Sequence, residues 1–341
     1  MDFVKLASIC NLKQWSTIAK TDLSDSGYPV WGANGIIGYS NKYNHTERTI
    51  MICCRGATCG SINISDGKCY INGNAMCLDN LSKEFNLDFI AYYLKNYDFK
   101  KTITGVAQPQ ITKVSLDIVE VPKLPIERQQ EIAQNLKKLE LCLTKTRIKL
   151  KKYDDLVKSQ FIEMFETLEC PVKTIGDVCL LKSGKTFDSS LEQENGEFMY
   201  AKVSDMNLYG NEKFMLTSNK FVNKQTAGKN LISIGAVIFP KRGGAIGTNK
   251  KRVVIKEMCV DLNIMAVIPQ EEITTEYLYQ YFLNIDMESL SNGANVPQIN
   301  NKDIAPLKIK VPPKELQNKF AEIVKHIDKL KFTLKEEIKK L

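Results

Sequence analysis

The sequence contains very little histidine: His45 and His326 are the only two in 341 residues. A catalytic site of the Ser-His-Asp or Cys-His kind would have to use one of them. His326 lies in an amphipathic C-terminal segment, and His45 lies in a polar stretch without a nucleophile motif such as G-x-S-x-G. A solvated or packed side chain is the simpler interpretation for both. We therefore predict that the chain carries no catalytic residue and is not itself an enzyme.

The ten cysteines lack the spacing that metal sites usually show. Five of them cluster in residues 53–77, yet the chain has no C-x-x-C pair, which structural zinc sites usually contain. The glycine-rich segment 243–247 likewise lacks the G-K-[ST] of a phosphate-binding loop. Buried, reduced thiols in a β-rich core explain the cysteines more simply. We predict that this chain binds no metal and no cofactor.

Long hydrophobic runs are also missing. No apolar stretch approaches the roughly 18 residues that a membrane-spanning helix needs. Residues 1–13 show no apolar core before a small-residue cleavage site, so we expect no secretion signal and a cytoplasmic location. A hydrophobic content of 43% and a charged content of 25% are typical of folded globular proteins. The length favours two domains, and the net charge of +8 is compatible with a polyanionic partner without proving one.

What the sequence does contain is an internal repeat. Residues 105–133 align without a gap with residues 293–321, at an offset of 188 (297 − 109). The matched positions include a glycine, a Pro-Gln-Ile triplet and a later proline and glutamate: Gly105 with Gly293, 109–111 with 297–299, Pro125 with Pro313, and Glu127 with Glu315. Self-similarity at a fixed offset is the signature of a duplicated structural unit.

Shorter segments of the two halves agree with small shifts. Residues 51–60 resemble residues 238–247, which places Arg55 in register with Arg242. Further on, we align residues 92–94 with residues 281–283. Together with the longer match, these segments predict that the chain is a tandem duplication.

Each copy is expected to contain a globule followed by a long helix. Both globules are rich in β-branched and aromatic residues broken by Gly, Asn and Asp, which is typical of short strands and turns, with short helices between them. After Pro125 and Pro313 the apolar residues recur in steps of three and four, which predicts helices that start with proline in the first turn. The fold class is therefore α+β, with globules at 1–124 and 170–312 and long helices at 125–169 and 313–341.

The two long helices carry one apolar seam each. The seam of the first helix contains Ile132, Leu136, Leu139, Leu143, Leu150, Tyr153 and Val157, and that of the second contains Phe320, Ile323, Ile327, Leu330 and Leu334. Each seam could pack on its own globule, as most amphipathic helices do. We favour instead an antiparallel coiled coil between the two helices, because a long helix with such a stripe needs a partner. This arrangement predicts a pseudo-twofold axis with one globule at each end of the coil.

Taken together, these features resemble the specificity subunit of type I restriction-modification enzymes. The resemblance covers essentially the whole chain. It rests on the alternation of globule and helix, on the paired G-x-x-x-P-Q-I loops, on the P-x-E-x-Q helix starts, and on the stretch from Tyr28 to Tyr39, which is similar to family target-recognition domains. The combination is specific, although each motif alone is weak.

The resemblance implies a function for each part. The two globules would be target-recognition domains, each reading one half of a split sequence in double-stranded DNA. The helices would form the coiled coil that sets the gap between the half-sites, and they would also dock two modification subunits. These partners would bring S-adenosylmethionine for adenine methylation, and restriction subunits would bring the ATP- and Mg²⁺-dependent translocase and nuclease.

Candidate DNA contacts follow from charge and geometry, because phosphates attract cations and base edges need fork-shaped or amide groups. We select residues near glycine-rich turns and the duplicated loops: Lys42, Arg55, Lys100, Lys101, Lys241, Arg242, Asn249, Lys250, Lys251 and Arg252. Arg55 and Arg242 are the preferred pair, because the repeat makes them equivalent. The alternative is that these charges form an ordinary solvated surface.

Two further sets of residues have open roles. Gln108, Gln110 and Gln298 lie in the duplicated loops, which either clamp the globule to the helix or face DNA, and we favour the clamp. Gln129 and Gln317, with the glutamates two residues before them, either cap the helix starts or touch the modification subunits.

Two other functions remain as alternatives. The first is a self-contained methyltransferase or nuclease fused to recognition domains. An adenine methyltransferase would need an Asn/Asp-Pro-Pro-Tyr/Phe-like site, and the only Pro-Pro pair, Pro312-Pro313, lies at a helix start. Such an enzyme would also need a further domain-sized stretch, which the two globules do not leave. The second alternative is a coiled-coil adaptor that binds only proteins.

Overall fold

A computed structural model describes residues 2–105, 109–293 and 295–340. The chain divides into two compact units, Met1–Lys145 and Thr146–Leu341. Gln108 of the first duplicated loop lies outside the described residues, so its two interpretations stay open.

The first unit is a mixed α+β globule with the first part of a long helix. Its strands are β1 (Asp2–Lys5), β2 (Asn11–Gln14), β3 (Tyr28–Gly32), β4 (Gly35–Ser40), β5 (Ile50–Cys53), β6 (Ile62–Ile64), β7 (Tyr70–Ile71), β8 (Ala75–Asp79) and β9 (Glu120–Lys123). Its helices are α1 (Leu6–Ile9), α2 (Leu87–Lys95) and the beginning of α3 (Ile126–Phe165). One sheet has the order β2-β8-β5-β6, a second has the order β4-β3-β7, and β1 pairs with β9.

The second unit contains the end of α3 and its own globule. Its strands are β10 (Val172–Thr174), β11 (Cys179–Ser183), β12 (Phe198–Ala201), β13 (Phe214–Met215), β14 (Phe221–Val222), β15 (Val237–Pro240), β16 (Arg252–Val254), β17 (Met258–Val260), β18 (Ile264–Pro269) and β19 (Lys308–Lys310). Its helices are α4 (Ile175–Val178), α5 (Lys224–Ala227), α6 (Thr275–Leu283), α7 (Asn301–Ile304) and α8 (Lys314–Lys339).

The sheets of the two units repeat the same topology. The order β11-β18-β15-β16 reproduces β2-β8-β5-β6, with β13 added at the edge, and β14-β12-β17 reproduces β4-β3-β7. In each small sheet the middle strand is antiparallel to one neighbour and parallel to the other. The pair β10-β19 repeats β1-β9. The predicted tandem duplication of an α+β unit is therefore confirmed.

Strands β5 and β15 lie within the main sheet of their units and are buried along their whole length. In β5, Ile50 and Ile52 pack into the core that contains α2, whereas Met51 packs into a separate cluster with Cys77 on the opposite face. A strand covered on both faces needs a continuous apolar run rather than an alternating one. This explains why these segments read Ile-Met-Ile-Cys and Val-Ile-Phe-Pro.

Buried glutamines attach the long helices to the globules. Gln129 accepts a hydrogen bond from the Asn86 backbone N–H (2.8 Å), and its amide nitrogen donates to the carbonyls of Glu84 and Leu124. In the second unit, Gln317 repeats all three bonds, accepting from the Thr274 N–H. Both side chains are fully buried. They hold the starts of α2 and α6 against the long helices, a role that we did not predict for these two glutamines, and the alternatives of capping and partner contact stay predictions for Glu127 and Glu315.

The same contacts correct one part of the repeat alignment. Asn86 and Thr274 precede helices of equal length and differ by 188 residues, the offset found for the long match. Tyr93 is therefore equivalent to Tyr281, so our alignment of residues 92–94 with 281–283 is wrong by one position. The correct register makes Leu94 equivalent to Phe282, and both side chains are fully buried.

Helices α3 and α8 pair within the second unit. The rings of Phe161 and Phe165 lie 5.5 Å and 5.6 Å from the ring of Phe320. Nearer the end of α8, Lys331 forms an ion pair with Asp154. Since residue numbers rise along α8 as they fall along α3, the helices are antiparallel, which confirms the predicted direction over this part of α3.

The seam residues differ in burial. Phe320 and Ile327 are buried, and Val324, which we did not place in the seam, is buried with them. Most other positions are half-buried: Ile132, Leu143, Leu150, Tyr153, Val157, Ile323 and Leu334. Leu136, Leu139 and Leu330 are exposed. In the first unit, Ile132 is the last seam residue of α3 that packs against the hydrophobic core of the globule.

Candidate nucleic-acid interface

Each unit places an arginine two residues after the end of its buried strand, beside the duplicated loop. The Arg55 backbone bridges to Gln110, and the Arg242 backbone bridges to Gln298. Next to these bridges, the Ile111 N–H donates to the Cys54 carbonyl and the Ile299 N–H to the Lys241 carbonyl, both at 2.9 Å. The Pro-Gln-Ile segment is thus held against the strand end that carries the arginine. In both units the described parts of the loop clamp to the sheet rather than to the long helix.

Glycines shape the turns around the two arginines. Gly56 and Gly243, which follow the arginines, have φ angles of 83° and 69°. Gly105 and Gly293, which open the loops, have φ angles of 85° and 63°. A side chain at Gly56, Gly243 or Gly293 would meet open space, so these positions need glycine for their left-handed backbone rather than for room. The sequence motif therefore encodes the same turn twice.

The side chains of Arg55 and Arg242 are exposed, and within the described parts of the chain neither forms an ion pair or a hydrogen bond. Lys241 lies beside Arg242 and donates to the Ser183 hydroxyl at 2.9 Å. Burial, and to a smaller degree the Arg242 charge, lowers the pKa of the Lys241 amine. Each unit therefore presents an uncommitted guanidinium, which can bind a phosphate or the edge of a guanine.

The other candidates of the first unit are also at the surface. Lys100 and Lys101 are exposed on the turn just before the Gly105 loop. Lys42 is exposed as well, but its amine lies 3.3 Å from the Asp22 carboxylate. An exposed ion pair of this kind is weak, so Lys42 can exchange Asp22 for a phosphate at little cost.

In the run 249–252 of the second unit Asn249 is exposed, Lys250 and Arg252 are half-buried and Lys251 is buried, which corrects our prediction for Lys251. Lys251 is only 1% exposed, and its amine donates to Asn249 Oδ1 (2.6 Å) and to the Ile285 carbonyl (2.8 Å). The guanidinium of Arg252 donates to the carbonyls of Lys251 and Met206. The buried amine of Lys251 is therefore turned away from any phosphate, whereas the half-buried guanidinium of Arg252 is held by two backbone carbonyls and its DNA contact stays a prediction.

Asn249 has a structural role too. Its backbone is left-handed (φ 52°), and Oδ1 accepts bonds from Lys251 and from the Met287 N–H. With both lone pairs of that oxygen used, the bidentate amide contact to adenine is not available. Lys250 is half-buried and its amine donates to the Asn207 side chain, so Lys250, like the half-buried Arg252, presents a cation near the surface.

Lys251→Met is expected to change how stability depends on pH. Burial lowers the pKa of Lys251 to about 8 from 10.5. Between these values the unfolded chain binds the proton and the folded chain does not, so the free energy of unfolding rises with pH. The full rise is roughly 3 kcal/mol. Urea unfolding from about pH 7.5 to about pH 10 should show most of this rise for the parent relative to the variant, and parallel profiles would contradict it.

Comparison with known proteins gives the family. The model described as "Type I restriction modification DNA specificity domain" matches residues 1–152 and 168–341. The chain belongs to this family. The two matched regions correspond to the two copies of the repeat, and the family's members are the specificity subunits of type I restriction-modification enzymes. The prediction of a non-catalytic specificity subunit is thereby confirmed.

Individual relatives agree with this assignment. A putative type I restriction enzyme specificity subunit of Haemophilus influenzae, S.HindORF215P, is 24% identical and aligns with 93% of this chain and 84% of its own. The MjaX specificity subunit of Methanocaldococcus jannaschii, also putative, is 24% identical over 74% of this chain and 64% of its own. The crystal structure of the type I S subunit from M. genitalium superposes with a TM-score of 0.66 at 20% identity, covering 99% and 92% of the two chains. That similarity shows a shared fold.

The cysteines of this specificity subunit are mostly core residues. No disulfide joins any of the ten, all of which lie in the described ranges, and Cys10, Cys53, Cys54, Cys69, Cys77, Cys179 and Cys259 are buried. His45, Cys77 and Asp79 place potential ligand atoms within 4.8 Å of one another. However, the His45 ring bonds both Asn44 Oδ1 and Asp79 Oδ1, and the Trp15 indole bonds the other Asp79 oxygen. The group is a hydrogen-bonded polar cluster inside the first unit, and the absence of a metal remains a prediction.

One surface cluster of the specificity subunit was missed by sequence reasoning. On the first unit, the Lys68 amine lies 4.8 Å from the Tyr28 ring centre and 4.0 Å from that of Tyr43. On the same small sheet, Ile36 and Ile37 are half-exposed. Aromatic faces next to a cation can stack on bases or contact phosphates. The aromatic residues around the Tyr28 stretch were the available signal, but only the fold brings Lys68 to them.

Among the described residues, no helix combines the length and the apolar character needed to cross a bilayer.

Proposed function

We propose that this specificity subunit reads a bipartite DNA target and scaffolds the other subunits of a type I restriction-modification complex. The observation that carries the proposal is the duplicated arrangement of an exposed arginine, a glycine turn and a clamped Pro-Gln-Ile loop, once in each unit. Each unit has its own sheets and its own core, so each can read a separate block of bases. Two such units on one chain favour an asymmetric target of two blocks separated by a fixed gap.

The chemistry of the reaction is assigned to partner subunits. We propose that two methyltransferase subunits bind S-adenosylmethionine and methylate adenine, and that restriction subunits supply the functions requiring ATP and Mg²⁺, all in the cytoplasm. A structure entitled "Structural basis underlying complex assembly and conformational transition of the type I R-M system" has the same fold as this chain, with a TM-score of 0.59 at 15% identity. That fold supports the proposed place of this chain in such an assembly.

The test is reconstitution of the full chain with its methyltransferase, followed by sequencing of methylated adenines in a random DNA pool. We expect two short specified blocks around a fixed unspecified gap. Neither this chain nor the methyltransferase should give sequence-specific methylation alone. Methylation or cleavage by the purified chain without partners would contradict the proposal.

Replacing residues 170–312 with the corresponding globule of another specificity subunit provides the matched control. This exchange should change one block and leave the other block unchanged. A continuous motif would mean that only one unit reads bases. A complex that forms but shows no salt-dependent DNA binding would support the alternative of a protein adaptor, because phosphate contacts weaken steeply as salt rises.

A further inference from the structure

The two units differ at one position beside the candidate arginines. The residue before the exposed arginine is Cys54 in the first unit and Lys241 in the second. The backbone of these two residues is bonded alike: the Cys54 N–H donates to the Asn74 carbonyl at 2.9 Å, and the Lys241 N–H donates to the Asn263 carbonyl at 2.8 Å. Each of their carbonyls accepts from the isoleucine of the Pro-Gln-Ile segment. The second copy therefore carries a cation where the first carries a thiol.

The first unit shows that this place in the fold needs no charge. Cys54 is fully buried and belongs to the hydrophobic core that contains α2. Burial raises the pKa of its thiol to about 12, so the side chain stays neutral. The same arrangement of strand, arginine and loop is thus built around a neutral residue, and the packing of the sheet does not explain the lysine of the second unit.

Lys241 lies in surroundings that disfavour its charge. The side chain is half-buried, and burial, followed by the Arg242 charge, lowers the pKa of its amine. Among the residues that the structure describes, no carboxylate lies within ion-pair distance of this amine, which donates to the Ser183 hydroxyl at 2.9 Å. A cation that is partly removed from water and placed beside a second cation is stabilised when an anion binds next to it.

We propose that Lys241 binds a phosphate of the DNA backbone, a contact for which the first unit has no counterpart at the equivalent position. An ammonium group has three N–H donors, and the Ser183 bond uses one, so two stay available for phosphate oxygens. The same bond holds the amine at the end of the sheet. The adjacent Arg242 adds to the attraction and keeps its own donors for a base edge or a phosphate.

This inference rests on the proposed function and names the chemical group that Lys241 recognises. A phosphate contact carries no information on the bases, but it displaces a counterion and makes binding depend on salt. Lys241 should therefore contribute affinity and salt dependence without changing which bases are read. The two units would then bind DNA unequally, although their arginines and loops are equivalent.

The test measures DNA binding by the full chain assembled with its methyltransferase, on a duplex that carries the parent's methylation motif. Affinity is followed by fluorescence anisotropy from about 50 mM to about 200 mM salt. Lys241→Met should weaken binding by roughly fivefold and reduce the slope of log affinity against log salt by about one, because one phosphate contact is lost. The methylated motif should stay that of the parent.

Two further substitutions at the same position separate charge from folding. Lys241→Cys installs the residue with which the first unit folds, and it should give the same two losses as Lys241→Met. Lys241→Arg keeps a cation and should keep most of the parent's salt slope. Circular dichroism checks that each variant is folded like the parent.

Lys256→Met is the matched control, because it removes the same charge from an exposed lysine of the same unit. Strands β15 and β16 are antiparallel, with Val237 opposite Val253. Lys256 follows β16 and so lies toward the start of β15, whereas Lys241 follows the end of β15. This control should keep the affinity and the salt slope of the parent.

Three results would overturn the inference. The first is an unchanged salt slope in both Lys241→Met and Lys241→Cys. The second is an equal loss in Lys241→Met and Lys256→Met, because the lysines would then act only through net charge. The third is an equal fall in the free energy of unfolding for Lys241→Met and Ser183→Ala with the parent's slope in both, because Lys241 would then only tie two strands together.

The parent complex separates these failures from a failure of the proposed function. If it methylates a two-block motif and the Lys241 variants bind like the parent, only the inference is wrong. If it shows no salt-dependent binding to DNA, the proposed function itself is contradicted, and the phosphate contact with it.

Discussion

Gln317→Ala is expected to lower the free energy of unfolding of the second unit by roughly 2 kcal/mol. The change removes the side-chain acceptor of the Thr274 N–H and leaves the carbonyls of Glu272 and Pro312 without their amide donor. A buried polar group that loses its partner costs about 1–3 kcal/mol. The Pro312 carbonyl is such a group, whereas the Thr274 N–H and the Glu272 carbonyl lie where water can replace the amide in part. Gln129→Ala should have the same effect on the first unit, since its bonds are the same three.

Neighbouring residues supply matched controls for these two variants. Gln130→Ala and Asn318→Ala remove exposed amides one position along the same helices, and each should change stability by less than about 0.5 kcal/mol. Urea unfolding with a probe for each unit should show that Gln129→Ala shifts the first transition and Gln317→Ala the second. A loss no larger than that of the controls would mean that water replaces the amide without cost.

The repeat and the long helices could be predicted because their signals are local or periodic. Pro125 and Pro313 mark helix starts, and apolar residues in steps of three and four mark one face, so neither inference needs knowledge of distant contacts. The role of Gln129 could not be predicted in this way. Its partners at Glu84 and Asn86 lie more than 40 residues earlier, and only the packing of α2 on α3 brings them together.

In the basic run 249–252 a local sequence pattern was present, but it led to a wrong prediction for Lys251. Four polar residues in a row suggest a solvated or DNA-facing segment, yet Lys251 reaches the Ile285 carbonyl and Arg252 reaches the Met206 carbonyl. Arg252 begins the strand β16, whose next two residues are buried. The direction of each side chain depends on that strand and on the left-handed turn at Asn249. Charge pattern alone does not specify either feature, which is why the sequence suggested the wrong role for Lys251.

Arg55→Ala and Arg242→Ala are expected to weaken recognition of separate DNA blocks in the reconstituted complex. A guanidinium that grips a base edge contributes about 1–3 kcal/mol of discrimination, so each change should reduce methylation at the preferred block by roughly 5- to 150-fold. Because one arginine lies in each unit, each variant should relax one block and leave the other specified. The double variant should relax both blocks.

A conservative change separates charge from geometry at the same positions. Lysine keeps the charge but loses the planar fork, so Arg242→Lys should restore salt-dependent DNA affinity better than base discrimination if the arginine reads a base. If it only contacts phosphate, Arg242→Lys should behave like the parent, and Arg242→Ala should weaken all sequences alike and reduce the salt slope by about one. Arg128→Ala serves as the surface control, because Arg128 is exposed on α3 and paired with Glu131. A double variant that methylates the parent's motif with the parent's salt dependence would show that both arginines are solvated surface, and would direct the search to the Lys68 aromatic cluster of the first unit.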